Sequence, residues 1–163
     1  MWKRENEFDD LVAAAADAYS VPAWAIKATI GKESSFDPAA ESDEQLGVDR
    51  SRGLMMVRLS TARDMGFDGP ADQLSDPRTN INLGTKYLAY QRGRFGLLAL
   101  PWDQIYAAYN AGRVRWVTVA GKQVLANEAN VIGWRKAADH FFPGWRKAVP
   151  FGKGSNKRAP ARS

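Results

Sequence analysis

Cysteine is absent from this chain of 163 residues, and histidine occurs once, at His140. The lack of cysteine excludes disulfides, thiolate zinc sites and a cysteine nucleophile. A single histidine leaves no histidine pair for the common metal sites or for a serine–histidine site. We therefore predict that the protein uses neither a metal nor another cofactor.

Long hydrophobic runs are missing as well. The apolar run at residues 13–16 is short and lies between Asp10 and Asp17, so it forms neither the core of a signal peptide nor a membrane span. The N-terminus turns acidic within its first seven residues. These features predict a chain without a cleavable leader and without insertion into a membrane.

Acidic residues are not in excess, since the formal net charge is +5. The charge is unevenly distributed: residues 1–140 contain 17 Lys/Arg and 18 Asp/Glu, whereas residues 141–163 contain six Lys/Arg and no acid. The basicity therefore belongs to a C-terminal tail. Because nothing in the chain resembles a base-reading motif, we predict no nucleic-acid partner.

Hydrophobic residues recur at three- and four-residue steps along most of the chain, which predicts amphipathic helices. Residues 37–53 are polar and rich in turn formers, and they predict a surface loop. Caps, prolines and glycines set the predicted helix boundaries. The helices are expected at 8–19 and 22–33, from a capping box at Thr61, from Asp76-Pro77, at 102–112 and at 127–142.

The segment at 113–125 departs from this helical pattern. Its valines and Trp116 surround Ala120-Gly121-Lys122, which predicts a short hairpin or an extended loop. From Pro143 onward, glycine, proline, serine and basic residues are typical of an extended segment. We predict a mainly α protein with one domain at 1–145, one short β-hairpin, and a basic, poorly ordered tail at 146–163.

Glu33 is the charged residue that departs from the helical pattern around it. It follows Ile30 by three residues and Ile26 by seven, so a continuous helix turns it toward the face that these isoleucines bury. Burial raises the pKa of a carboxyl group, as a general acid near neutral pH requires. The alternative is that the helix has already ended and that Glu33 is solvated.

A second carboxylate would complete a two-acid glycosidase site, but the sequence identifies none. The candidates are close to Glu33 in sequence, and all lie in the polar loop without a periodicity that would orient them. They are Asp37, Glu41, Asp43, Glu44 and Asp49.

A second cluster lies at the end of the 102–112 helix. Tyr106 and Tyr109 are three residues apart and therefore share a helix face, and Asn110 and the terminating Gly112 follow. Such a helix end presents a phenol and an amide to a cleft, or else packs into the core.

Four blocks of sequence, in order, resemble the catalytic domain of the soluble lytic transglycosylases over about residues 20–112. The blocks are Glu33-Ser34-Ser35-Phe36-Asp37-Pro38 with Ser42, Gly53-Leu54-Met55-Met56-Val57 leading to Ser60-Thr61-Ala62, Asp76-Pro77-Arg78-Thr79-Asn80-Ile81 with Gly84 and Tyr87-Leu88, and Ala107-Ala108-Tyr109-Asn110-Ala111-Gly112.

The resemblance implies a lysozyme-like fold and cleavage of the β-1,4 bond between N-acetylmuramic acid and N-acetylglucosamine in peptidoglycan. The family's catalytic glutamate falls on Glu33. It is expected to protonate the glycosidic oxygen and then to act as base on the muramyl 6-hydroxyl, which gives a 1,6-anhydro product. The substrate's 2-acetamido group takes the place of a second carboxylate.

The resemblance also implies a set of substrate contacts. Ser42 corresponds to a serine at the substrate N-acetyl group, and Met55 and Met56 to the motif that walls the cleft. Tyr109 corresponds to a tyrosine whose hydroxyl lies close to the catalytic glutamate, and Asn110 follows it in the motif.

The chain differs from the family pattern at three places. Met56 stands where the motif has glutamine, and the loop between Ser42 and Gly53 has a few extra residues. Many members also have a cleft tyrosine in an Asn-Gln-x-Tyr-Val run. The chain reads Asn127-Glu128-Ala129-Asn130-Val131 there, so that Asn130 takes the place of the tyrosine.

Two alternatives to a transglycosylase stay open at this point: a hydrolytic muramidase, and a peptidoglycan-binding module with impaired catalysis. We expect a monomer whose basic tail contacts an anionic envelope surface. The short single-domain build resembles a phage or prophage lysis enzyme. Such a protein is made in the bacterial cytoplasm and reaches the cell wall through a holin, on a virion or through a secretion apparatus.

Overall fold

A computed structural model describes residues 2–42, 44–94 and 100–148 of the chain. Within these ranges the fold is mainly helical, as predicted. No helix in the described ranges combines the length and the apolar character needed to cross a membrane. The α-helices are α1 (Asp9–Tyr19), α2 (Ala23–Glu33), α3 (Leu59–Asp64), α4 (Pro77–Arg94), α5 (Trp102–Ala111) and α6 (Glu128–Phe141).

The predicted hairpin is present. Strand β1 (Trp116–Val119) pairs antiparallel with β2 (Lys122–Leu125), and Val119 lies opposite Lys122. The two turn residues, Ala120 and Gly121, both have positive φ angles, of 49° and 75°. This backbone fits the tight turns whose twist matches that of paired strands.

Helix α2 forms the centre of the core. Ile26 and Ile30 are fully buried, and α6 packs along α2, where the Trp134 indole N–H donates to Thr29 Oγ1 at 3.1 Å. Trp134 itself is fully buried. Because α2 is buried along most of its length, its last residue, Glu33, emerges directly from the hydrophobic core.

A buried asparagine holds the loop that carries the Gly53-Leu54-Met55-Met56-Val57 motif. The Asn80 amide N–H group donates to the carbonyls of Arg52 and Leu74, and its Oδ1 accepts from the Met55 N–H, each at 2.7 Å. Gly53 has a φ of +74°, and a Cβ there would lie 2.5 Å from Asn80 Nδ2. The motif therefore needs glycine at this position, and Asn80 fixes its backbone.

Two local expectations were wrong. Helix α3 begins at Leu59 and not at Thr61, and Arg58 precedes it without a side-chain cap. Trp145–Lys147 form a 3₁₀ turn where an extended segment was expected. Trp145 is buried in this turn, and Arg146 pairs with Asp139. The remainder of the predicted tail, 149–163, lies outside the described residues.

Replacing Asn80 by alanine should destabilise the fold strongly. The change leaves the Leu74 carbonyl and the Met55 N–H without a partner, while the Arg52 carbonyl keeps the Val57 N–H, and each such loss costs about 1–3 kcal/mol. We expect the free energy of unfolding, measured by urea denaturation, to fall by about 2–4 kcal/mol. Asn82→Ala on the exposed face of the same helix is the matched control and should change it by less than about 1 kcal/mol. Equal losses would contradict the anchoring role of Asn80.

Candidate active site

Glu33 lies at the end of α2, at the wall of a cavity of about 500 Å³. The residue is partly exposed to this cleft, while its carboxyl group is largely withdrawn from solvent. Met56, Tyr109 and Asn110 line the same cleft. The structure thus brings together four of the residues that the sequence analysis assigned to the site, from α2, the motif loop and the end of α5.

The phenol that contacts Glu33 is that of Tyr106. Its hydroxyl donates to Glu33 Oε1 at 2.6 Å. Tyr106 is fully buried and stacks on Trp134, with ring centroids 5.5 Å apart. The sequence analysis expected this proximity for Tyr109, whose hydroxyl instead donates to the Met55 carbonyl at 2.6 Å. The i, i+3 spacing places both rings on one face of α5, and tertiary packing decides which of them reaches the acid.

Burial raises the pKa of the Glu33 carboxyl group above its usual value of 4.5. Three groups oppose this shift without cancelling it: the hydrogen bond from Tyr106, the charge of Lys32 and a hydrogen bond from Asn110. Burial and the charge of Glu33 also raise the pKa of Tyr106. Tyr106 therefore stays protonated near neutral pH and remains a hydrogen-bond donor to Glu33.

Met55 does not line the cleft, which corrects the expectation that both methionines form its wall. Its side chain is fully buried and packs against Gly84, where an added Cβ would lie 2.6 Å from the sulfur. Met56, the next residue, is half-buried at the cleft and has a φ of +48°. Of the two methionines only Met56 lines the described cleft, and it does so from a backbone conformation that is uncommon for a residue other than glycine.

Ser42 contacts the wall of the cleft through a neighbour. Its backbone N–H donates to the Ser51 carbonyl at 3.0 Å, and its Oγ accepts from the Ser51 N–H at 2.8 Å. Ser51 lines the cleft. The structure therefore places Ser42 behind Ser51, and a direct contact between Ser42 and substrate stays a prediction.

Glu33 is the only carboxylate among the described residues that line the cleft. Asp49 accepts hydrogen bonds from the backbone and hydroxyl of Ser60, and Glu41 pairs with Arg50 and Arg52. Asp37 accepts from the Ala39 N–H. The side chains of two further candidates, Asp43 and Glu44, lie outside the described residues. In the described ranges, no three His, Asp or Glu side chains are grouped so that they could hold a metal ion.

Sequence reasoning missed two features of the cleft. Arg58 lines it as an exposed cation, and no ion pair joins Arg58 to another described residue. Asn127 and Asn130 both donate from Nδ2 to Asn110 Oδ1, at 3.0 and 3.1 Å. The sequence showed Asn130 only as a missing tyrosine, because the approach of α6 to the end of α5 has no local signal.

Comparisons with known proteins decide the family. The sequence model of the transglycosylase SLT domain matches residues 10–131. The chain belongs to this family. The match covers α2, the motif loop, α4, α5 and the start of α6, and so contains every site residue described above.

The chain is similar to several named transglycosylases. It is 33% identical over 97 residues to membrane-bound lytic murein transglycosylase E of Buchnera aphidicola and 36% identical over 115 residues to membrane-bound lytic murein transglycosylase F of Desulfosudis oleivorans. These matches cover 55% and 69% of this chain and 42% and 23% of the relatives. The chain thus spans less than half the length of either relative.

A solved structure shows the same fold. The 70 kDa soluble lytic transglycosylase of Escherichia coli superimposes with a TM-score of 0.53 at 27% identity. The match covers 80% of this chain and 18% of the other. The lysozyme-like, mainly helical class predicted from the sequence is confirmed.

Glu33→Gln should stabilise the protein, and the gain should depend on pH. The folded carboxyl group has a raised pKa, so the folded state holds its proton at pH values where the unfolded chain has lost it. Its contribution to stability therefore falls as pH rises from about 4.5 through the folded pKa. Urea unfolding at pH 4 and pH 8 should show a larger advantage of the variant at pH 8. An advantage that is absent or larger at pH 4 would contradict the burial of this acid.

Proposed function

We propose that the protein is a peptidoglycan lytic transglycosylase in which Glu33 acts first as acid and then as base. In the first step the Glu33 proton moves to the glycosidic oxygen as the bond from the muramyl C1 to this oxygen breaks. The carbonyl oxygen of the substrate's 2-acetamido group stabilises the positive charge at C1. In the second step the Glu33 carboxylate removes the proton of the 6-hydroxyl, and O6 bonds to C1. The product is a 1,6-anhydromuramyl end, and Glu33 is again protonated.

The observation that carries this proposal is one desolvated carboxyl group, held by a phenol, in a cleft whose described lining contains no second acid. A two-carboxylate retaining glycosidase needs a nucleophile about 5–5.5 Å from the acid. Intramolecular attack by the substrate's own groups needs no such nucleophile and no activated water. The described lining therefore fits substrate-assisted cleavage by a single acid, and the family match favours the lyase-type outcome of that cleavage.

The electrostatics of Glu33 suit both steps. The raised pKa makes the protonated fraction of Glu33 larger at a given pH than that of an ordinary glutamate, as the first step needs. The donors Tyr106 and Asn110 then stabilise the carboxylate that this step leaves behind. Burial thus raises the pKa of Glu33 and hydrogen bonding lowers it. Both effects suit a group that has to donate a proton and then take one back.

The relatives support the substrate class. They are named lytic murein transglycosylases, and a transglycosylase structure 26% identical to this chain, with a TM-score of 0.53, holds bulgecin A. We extend the murein substrate to this chain because its match to the family spans the whole cleft. The hydrolytic muramidase and the impaired binding module are outcomes of the test below.

Several finer expectations stay predictions. They are the phage or prophage role, the route by which the protein reaches the cell wall, the contact of the basic tail with an anionic envelope, and the monomeric state. Of the tail at 146–163, the described residues show that Arg146 pairs with Asp139. Because Arg146 is paired, we expect the other basic residues of the tail to make any contact with an envelope.

Digestion of purified peptidoglycan, followed by mass spectrometry of the fragments, tests the function. We expect muropeptides that end in 1,6-anhydromuramic acid, which are lighter than the hydrolysed products by one water. Glu33→Gln should release less than about 1% of the wild-type amount, since loss of a general acid costs 10²–10⁴-fold.

The other outcomes are informative as well. Reducing ends without anhydro ends would identify a hydrolytic muramidase. Release by neither protein, while both sediment with peptidoglycan, would identify a binding module. Unchanged release by Glu33→Gln would exclude Glu33 as the acid.

A further inference from the structure

Arg58 and Thr61 place a guanidinium group and a hydroxyl group at the cleft. Both residues line the cleft together with Glu33. Arg58 immediately precedes α3 and Thr61 lies in its first turn, so the two side chains, three residues apart, lie on one side of this turn. Arg58 is exposed, and Thr61 is half-buried. We call these two residues the Arg58–Thr61 pair.

Neither side chain of the pair is engaged within the described part of the chain. No hydrogen bond, ion pair or ring contact joins the Arg58 guanidinium or the Thr61 hydroxyl to another described residue. Other arginines nearby differ in this respect, because Arg52 pairs with Glu41, and Arg63 on the same helix donates to a backbone carbonyl at 2.7 Å. The pair therefore keeps its donors for a ligand that enters the cleft.

The charge of Arg58 is not balanced by a carboxylate of the cleft. Among the described residues that line it, Glu33 is the only acid and Arg58 the only lysine or arginine, and Arg58 is not among the groups that shift the pKa of Glu33. Asp49 reaches the start of α3, but its two carboxylate oxygens accept from the N–H and the hydroxyl of Ser60, at 2.7 and 3.0 Å. The described lining thus carries one positive charge without a partner.

The backbone beneath Arg58 is fixed. Arg52 and Val57 exchange two backbone hydrogen bonds of 3.0 Å, and the Arg58 carbonyl accepts from the Ala62 N–H at 2.9 Å. Val57 is buried. The Arg58 side chain therefore starts from a set point on the cleft wall, and a ligand that binds its guanidinium has only the side chain to order.

The proposed substrate carries carboxylates close to the bond that is cleaved. The sugar rings of peptidoglycan are uncharged, but each muramyl ring bears a lactyl group at C3, and a peptide stem with free carboxylates is attached to this group. The proposed reaction takes place at C1 of the same ring. When C1 lies at Glu33, the lactyl group and the start of the stem therefore lie in the cleft or at its mouth.

We propose that the Arg58–Thr61 pair binds a carboxylate of the peptide stem and so makes the cleft selective for strands that carry stems. A guanidinium group presents a planar fork of N–H donors that matches a carboxylate, and the threonine hydroxyl adds a further donor. The inference rests on the proposed function, because it takes peptidoglycan as the substrate. A neutral glycan of N-acetylglucosamine offers the pair no carboxylate and gains nothing from it.

Three variants test the pair. Arg58→Gln removes the charge and keeps a side chain of similar length, and Thr61→Val removes the hydroxyl and keeps the shape. Arg63→Gln is the matched control, because it removes the same charge from the same helix at a residue that does not line the described cleft. The double variant Arg58→Gln/Thr61→Val shows whether the two residues act on one group, since their effects are then not additive.

The kinetic readout is the digestion of soluble peptidoglycan strands that carry their stems. We expect Arg58→Gln to raise KM by about three- to tenfold, the size of one exposed charge-assisted contact, and to leave kcat and its pH profile unchanged. The KM of the wild type should rise with added salt, and that of Arg58→Gln should rise less. Arg63→Gln should leave KM unchanged, and an equal rise in this control would overturn the proposal.

A binding readout does not need activity and identifies the group that is bound. Calorimetry in the Glu33→Gln background compares three tetrasaccharides: alternating N-acetylglucosamine and N-acetylmuramic acid with stems, the same sugars with free lactyl carboxylates and no stems, and N-acetylglucosamine alone. Arg58→Gln should weaken binding of the first more than that of the last. A loss for the second as well would show that a lactyl carboxylate also fits the pair and would support the carboxylate site.

Three results would overturn the proposal: no loss of affinity, a loss confined to the tetrasaccharide without stems, and an equal loss for the neutral tetrasaccharide. The failure of the proposed function has a different signature. If the wild type releases no fragments from peptidoglycan while Arg58→Gln still weakens binding of the stem-bearing tetrasaccharide, the proposed function fails and the carboxylate site stands.

Discussion

The structure depends on one electrostatic constraint, a carboxyl group at the end of the most deeply buried helix. Because Ile26 and Ile30 take α2 through the core, Glu33 leaves the core with little water around its carboxyl group. Desolvation raises its pKa, and no cation forms an ion pair with it among the described residues. Apart from the charge of Lys32, the groups that favour its carboxylate are neutral donors. Tyr106 and Asn110 stabilise the carboxylate without fixing it in the charged state, as a full ion pair would.

The rest of the fold holds the groups around Glu33 in position. Asn80 ties the motif loop to α4 through three buried hydrogen bonds, and Tyr109 ties the same loop to α5 through the Met55 carbonyl. Helix α6 supports Tyr106 through Trp134, and Asn130 of α6 together with the preceding Asn127 donates to Asn110 Oδ1. The site is thus built at the meeting point of α2, α5, α6 and one loop. Helices hold most of the side chains of the site in fixed positions. This suits a mechanism in which Glu33 acts first as acid and then as base.

The sequence predicted the helices and the hairpin, and it marked Glu33 as a candidate, because periodicity and turn chemistry are local signals. It left the choice between Tyr106 and Tyr109 to the family resemblance, which pointed to Tyr109, because residues three apart share a helix face. Met55 is buried while Met56 lines the cleft with a positive φ, which no local rule requires of methionine. The contact of Asn130 with Asn110 needs two helices to approach each other. Local pattern therefore marked Glu33 as a candidate, the family resemblance assigned it as the acid, and tertiary packing selected its partners.

The most direct test of this account is the pKa of Glu33, measured by a carbon-13 NMR titration of the side-chain carboxyl carbons, with the resonance assigned through Glu33→Gln. Glu7, whose pKa is lowered by its hydrogen bond from Arg4, is an internal reference in the same spectra. The account predicts that Glu33 titrates above 4.5 and above Glu7. A Glu33 that titrates at or below 4.5 would contradict the claim that desolvation outweighs its hydrogen bonds.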